Sequence, residues 1–155
     1  MLFRSRVLQE LAVRKSDKVL EVGTGTGYLT ALLAHRSLHV VSIELDPQLK
    51  QMGEAALRAH GVENVTLEQG NGALGWTARA PYDVIVLTGS VPVLPDALLE
   101  QMKPGGRLFA VVGDAPVMKA QLVSCAGPGS YRSVDLFETC IPALQDAVQP
   151  ERFHF

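Results

Sequence analysis

At 155 residues, 47% of them hydrophobic and 19% charged, the chain suits one globular domain spanning residues 1–155 with a full core. A net charge of −2 and a pI near 6.1 exclude the broad basic surface that tight, sequence-independent nucleic-acid binding needs. No apolar run approaches the roughly 18 residues of a membrane span, residues 1–6 hold no signal-peptide core, and two cysteines far apart make neither a zinc set nor a disulfide framework. The expectations are a cytoplasmic location, no membrane contact, and Cys125 and Cys140 as small buried hydrophobes.

Phe3, Val7, Leu8 and Leu11 recur at helical spacing, so the first dozen residues predict an amphipathic helix that ends before Ser16-Asp17. A strand at 18–22 runs into Gly23-Thr24-Gly25-Thr26-Gly27, a helix follows to about His35, and a Val- and Ile-rich strand occupies 39–44. Asp46-Pro47 supplies an N-cap and first-turn proline for a helix closing at Gly61. Strands are expected at 64–68, 82–87 and 107–112, with a short helix over 95–102 stopped by Lys103-Pro104-Gly105-Gly106. The order then changes, because 117–124 and 131–139 flank Gly127-Pro128-Gly129 as a hairpin. Alternating strands and helices imply an α/β fold with a parallel sheet and an antiparallel edge, and ligands of such sheets bind at the carboxyl ends of the strands.

Those ends carry the informative residues. The segment Val19-Leu20-Glu21-Val22-Gly23-Thr24-Gly25-Thr26-Gly27-Tyr28 is a strand entering a three-glycine turn, and Glu44 ends the next strand. Such a turn lets backbone N–H groups approach a ligand, and the following helix directs its positive end at the same place. In the dinucleotide fingerprint the glycines fall as G-x-G-x-x-G and hold a pyrophosphate. Here the spacing is G-x-G-x-G with Glu21 beside it, a carboxylate that repels phosphate and welcomes a cation. S-adenosyl-L-methionine, with an ammonium, a sulfonium and no phosphate, fits better than a nicotinamide or flavin: Glu21 lies near its amino-acid end and Glu44 accepts from its ribose hydroxyls.

The segments VLEVGTGTGY, VVSIELDP, GVENVTLEQGNGALGW, APYDVIVLTG and LLEQMKPGGRLFAVVG, in this order, resemble the protein-L-isoaspartate O-methyltransferase family, class I methyltransferases. The resemblance implies a Rossmann-like seven-stranded sheet of order 3-2-1-4-5-7-6, and methyl transfer from S-adenosyl-L-methionine to the carboxylate of isoaspartyl residues in damaged proteins, which starts their repair. It maps cofactor positions onto Glu21, Gly23, Thr24, Gly25, Gly27, Tyr28, Glu44, Leu45, Gly70, Asn71 and Gly72, with Asn71 standing where most members have Asp. Thr88 ends the fourth strand, where methyltransferases place residues near the transferring methyl. No N-P-P-Y or D-P-P-Y follows it, which disfavours adenine and glutamine methylation. A T-I-S-x-P-like loop that normally precedes the first motif has no full counterpart, leaving Ser5 as a candidate relic of its hydroxyl beside Thr88 as a catalytic candidate.

Isoaspartyl proteins or peptides are the expected partners, and no metal site is expected because His35, His39, His60 and His154 sit at element ends or in the tail, with His35 closing a helix and His39 opening a strand so that the two share no helix face. Trp76 reads as a cofactor-edge residue or a lid over the core. Arg79 and Arg107 read as solvated arginines or attractors of an acidic acceptor. Phe153 and Phe155 are candidates to pack on the sheet edge or on a second copy in a homodimer. Two further readings stay open: a class I methyltransferase acting on a small molecule or RNA, and a noncatalytic donor-binding domain.

Overall fold

In the computed structural model, which describes residues 2–145, 147 and 149, each apolar run bounded by glycine, proline or an acidic cap becomes one element. Helix α1 (Leu2–Leu11) leads into β1 (Lys18–Val22), α2 (Tyr28–Arg36), β2 (His39–Glu44), α3 (Pro47–Ala59) and β3 (Val65–Gln69). A 3₁₀ turn at Thr77–Arg79 precedes β4 (Tyr82–Leu87), α4 (Asp96–Leu99), β5 (Met102–Asp114), β6 (Val117–Gly127) and β7 (Ser130–Thr139). Asp46 caps α3 as its sequence predicts, its Oδ1 accepting from Gln48 N at 2.8 Å with Pro47 in the first turn.

The seven strands lie in the order β3-β2-β1-β4-β5-β6-β7. The first five are mutually parallel, and β6 runs antiparallel to both neighbours, so the mostly parallel, Rossmann-like sheet with a terminal hairpin is as expected. The expected order 3-2-1-4-5-7-6 is corrected at its last two strands. Only Ala115 and Pro116 separate β5 from β6, and Asp114 pairs directly with Val117. So tight a turn can only lay β6 back beside β5, which leaves β7 the outer edge. A second correction concerns Lys103-Pro104-Gly105-Gly106, which lies inside β5 as a bulge: Tyr82 pairs with Met102 and Val84 already with Arg107. Pro104 has no N–H for the ladder, so the pairing skips this stretch. Helix α4 accordingly ends at Leu99, short of the expected 102.

The parallel half buries both faces. Val19, Val40, Val84, Val86, Phe109 and Val111 face the apolar side of α1 and α2, chiefly Val7, Leu11, Leu29 and Leu33. Leu20, Val22, Val41, Ile43, Ile85 and Leu87 form the opposite layer with Leu98 of α4. Each such side chain contributes about 1.5–3 kcal/mol when fully buried.

Arg107, which sequence leaves as a solvated residue or an attractor of acids, is structural. Its guanidinium pairs with the buried Asp17 carboxylate at 2.8 Å and donates to the carbonyls of Leu11 and Ala12, holding the last turn of α1 near the amino ends of β4 and β5. The first turn of α1 therefore stands at the carboxyl ends of the strands. The strand order reverses at β1: the chain builds outward to β2 and β3 on one side, then crosses to β4 and β5 on the other, so those ends open at a topological switch point.

Candidate functional site

Two glycines shape the turn after β1. Gly23 has φ +98°, and a Cβ there would lie 2.1 Å from Thr88 Oγ1, so any side chain would push the Thr88 hydroxyl from its place on the turn. Gly25 has φ +55°, and no atom lies within 4 Å of where its Cβ would stand. Gly27 differs from both: it lies against Gly53 of α3 and lines neither cleft described below, serving helix packing.

Around this turn lie two adjoining clefts of about 300 and 460 Å³. The first is floored by Leu45, Asp46, Gly70, Asn71 and Gly72. The second is lined by Glu21, Thr24, Gly25, Tyr28 and, from α1, Arg4. Gly23, Glu44, Thr88 and Pro142 border both, which makes them one continuous crevice over the switch point. Of the predicted cofactor and catalytic residues Gly27 and Ser5 stay out, as do Trp76 and Arg79; Ser5 is exposed on α1.

Glu21 is fully buried, and the register of β1 with β2 sets Ser42 beside it. Its Oε1 accepts from Ser42 Oγ at 2.7 Å and from Thr30 Oγ1 of α2, while its Oε2 has no partner. Because the Ser42 proton goes to Glu21, Thr24 Oγ1 must donate in the 2.6 Å contact between the two hydroxyls. A buried chain thus runs from the glycine turn to the carboxylate. Burial pushes the Glu21 carboxyl up to about 7, opposed by the Ser42 and Thr30 hydrogen bonds and reinforced by Glu44. An unpartnered buried carboxylate oxygen is costly without a cation or a proton, so the site is chemically suited to an ammonium.

Glu44 closes the other side of the turn. Its Oε1 accepts from Gly25 N at 2.8 Å and its Oε2 from Asp46 N at 3.0 Å, which fixes the carboxylate plane and leaves further lone pairs for hydroxyl donors. Asn71 Oδ1 accepts from Ala73 N at 2.9 Å, so its amide nitrogen is the group left to donate. The Thr88 hydroxyl is directed at the Val22 and Gly23 carbonyls, 2.9 and 2.8 Å away, which commits its single proton to the turn.

Trp76 buttresses this site from outside. Its ring packs where a Gly70 side chain would be, its indole N–H donates to Glu68, and Arg79 pairs with the same carboxylate at 2.9 Å. Neither Trp76 nor Arg79 lines the crevice. Gln101 holds the same loop, accepting from Trp76 N at 2.8 Å and donating to Leu74 O at 2.9 Å.

Sequence reasoning missed two contributions. One is Arg4, whose guanidinium carbon lies 4.6 Å from the centre of the Tyr28 ring. The other is the return of the chain after β7: Ser90 N donates to Pro142 O at 3.0 Å, Leu144 N to Ser90 O at 2.9 Å, and Leu144 packs over Gly23 and Gly89. Neither follows a local periodicity, so only the order of the strands reveals them. Cys125 is buried as expected, but Cys140, at the start of this return, is exposed. Among the described residues no helix is long and apolar enough to cross a membrane. The expectation for Phe153 and Phe155 lies outside the described residues.

Residues 2–139 match the family model for protein-L-isoaspartate(D-aspartate) O-methyltransferase. Curated relatives of that name include one from Protochlamydia amoebophila, 42% identical over 113 residues, which are 73% of this chain and 53% of the relative. Another, from Yersinia enterocolitica, is 40% identical over 121 residues, 78% of this chain and 56% of the relative. The chain spans about half the length of the curated relatives it matches. A solved protein-L-isoaspartate O-methyltransferase superposes with a TM-score of 0.83 at 26% identity, covering 92% of this chain and 46% of that one. A Plasmodium falciparum structure titled a putative member, in complex with S-adenosyl-L-homocysteine, gives 0.78 at 17% identity over 92% of this chain and 73% of that one, a likeness of fold.

Proposed function

The chain belongs to the protein-L-isoaspartate(D-aspartate) O-methyltransferase family, and from that membership we propose that its crevice binds S-adenosyl-L-methionine for methylation of the carboxylate of L-isoaspartyl residues in damaged proteins. The observation that carries the donor half is the unpartnered oxygen of buried Glu21 in the same cleft as the open face of Gly25. A dinucleotide pyrophosphate would meet Glu21 and Glu44 as like charges, whereas the donor's ammonium relieves the orphaned oxygen. In this reading Glu44 holds the ribose, Leu45 and residues 70–72 take the adenine, and Gly23, Thr24, Gly25, Tyr28 and Thr88 surround the thioether. Gly27 supports the turn from behind.

When bound, the donor supplies a methyl group made electrophilic by its sulfonium. The acceptor carboxylate is ionised at neutral pH, with a pKa near 4, so no general base is required. This agrees with a crevice in which the hydroxyl at the end of β4, Thr88, is committed to backbone carbonyls. What remains for the protein is to orient the two reactants and exclude water. The reading takes residues 1–155 as one donor-binding domain working in the cytoplasm. Labelled donor offered with an isoaspartyl peptide and its normal aspartyl counterpart tests it: label in the first alone is the expected result. Equal labelling of both, or donor binding with no transfer to either, overturns the acceptor assignment.

A further inference from the structure

The cleft that Glu21 lines also contains a cation. Arg4 reaches it from the first turn of α1, the end of that helix opposite its anchor on Arg107. Its guanidinium lies over the Tyr28 ring at 4.6 Å, within the range of a cation–π contact. None of the ion pairs among the described residues engages Arg4. A stacked guanidinium keeps its in-plane N–H groups free, and their fork matches the two oxygens of a carboxylate.

The same cleft therefore holds one cation without a carboxylate partner and one buried carboxylate oxygen without a donor, while both oxygens of Glu44 already accept backbone N–H groups. That pair of opposite, unmatched groups is what an α-amino acid zwitterion requires. We propose that Arg4, held on Tyr28, receives the α-carboxylate of the donor's amino-acid end while Glu21 faces its ammonium. The assignment rests on the donor reading above and adds the residue that recognises the carboxylate. An acceptor carboxylate has the same chemistry, so the test separates the two sources.

Calorimetry on the full chain compares S-adenosyl-L-homocysteine, which carries the amino-acid end, with 5′-methylthioadenosine, which lacks it. Arg4→Ala weakens the first about tenfold or more, the worth of a charge-assisted hydrogen bond, and leaves the second unchanged. Arg4→Lys recovers part of the loss, since it restores the charge without the fork. Unchanged affinity for S-adenosyl-L-homocysteine, or an equal loss for both ligands, overturns the assignment. An isoaspartyl peptide titrated into the product-saturated protein provides the second arm: weakened peptide binding in Arg4→Ala with S-adenosyl-L-homocysteine affinity intact would give Arg4 to the acceptor and overturn it too. If the parent protein binds neither nucleoside, the donor reading itself falls, an outcome distinct from an Arg4 substitution without effect.

Discussion

The cleft floored by Leu45 and residues 70–72 and the cleft between Glu21 and Arg4 meet at Gly23, yet they are built by different means. The first is mostly main chain and apolar surface, with its polar groups already oriented: Asn71 turned onto Ala73 N, Glu44 fixed by Gly25 and Asp46. The second holds groups whose charges are unmatched inside the protein. A flat, neutral heterocycle is selected by shape and by a few oriented hydrogen bonds, which change little with pH. A zwitterion is selected by charge, and that selection carries the titration of Glu21 with it.

The strongest way to break this comparison is to fill the glycine turn, beside the Glu44 carboxylate that borders both clefts. Gly25→Leu places a side chain where no atom lies within 4 Å at φ +55°, so the fold should survive with a cost of about 1–2 kcal/mol for the left-handed backbone. Binding of S-adenosyl-L-homocysteine and 5′-methylthioadenosine should both drop by about a hundredfold or more. Retained binding of either, by calorimetry, would move that ligand away from the turn.

Glu21→Gln sharpens the comparison on the charged side. Burial raises the Glu21 carboxyl from its ordinary value of 4.5 to about 7, so between these values the folded state holds the proton more tightly. Its favourable contribution is complete below the lower value and is lost as pH rises through the upper one. The amide cannot ionise, so Glu21→Gln should be more stable than the parent above about pH 7, by up to about 3 kcal/mol, and the gain should vanish near about pH 4. Urea unfolding at both pH values measures it, and a pH-independent difference would remove the ionisation argument.

Glu44→Ala is expected to weaken both nucleosides equally, by about 1–3 kcal/mol, because the ribose is common to them. A loss confined to S-adenosyl-L-homocysteine would assign Glu44 to the amino-acid end instead. The smallest effect belongs to Asn71→Ala, about 0.5–1.5 kcal/mol on both ligands, the value of one neutral hydrogen bond. Unchanged titrations would take Asn71 out of the adenine site.

The two clefts also differ in how far they could be read beforehand. Strands β1, β2 and β4 fall where their buried apolar runs predict, and Glu44 and the glycine turn follow because strand ends in a parallel sheet collect at one edge. The Glu21 contacts to Ser42 and Thr30 needed the cross-strand register and the seating of α2, neither of which a local pattern encodes. Arg4 is invisible for a similar reason: its position depends on Arg107 pinning the far end of α1, 96 residues downstream of Leu11. The order of β6 and β7 was misjudged because Gly127-Pro128-Gly129 marks its hairpin clearly, whereas the earlier reversal rests on Ala115 and Pro116 alone. Cys140 is exposed because it belongs to the returning segment and not to the strand before it.

That returning segment fastens to the sheet through peptide groups: Pro142 contributes an oxygen to Ser90 and Leu144 a nitrogen. A seam sewn by the main chain is indifferent to most exchanges of side chain. Mutational scanning should therefore pass over residues 142–144 with mild effects until it reaches proline at position 144, where the stitch loses its hydrogen and the lining beside Gly23 comes undone.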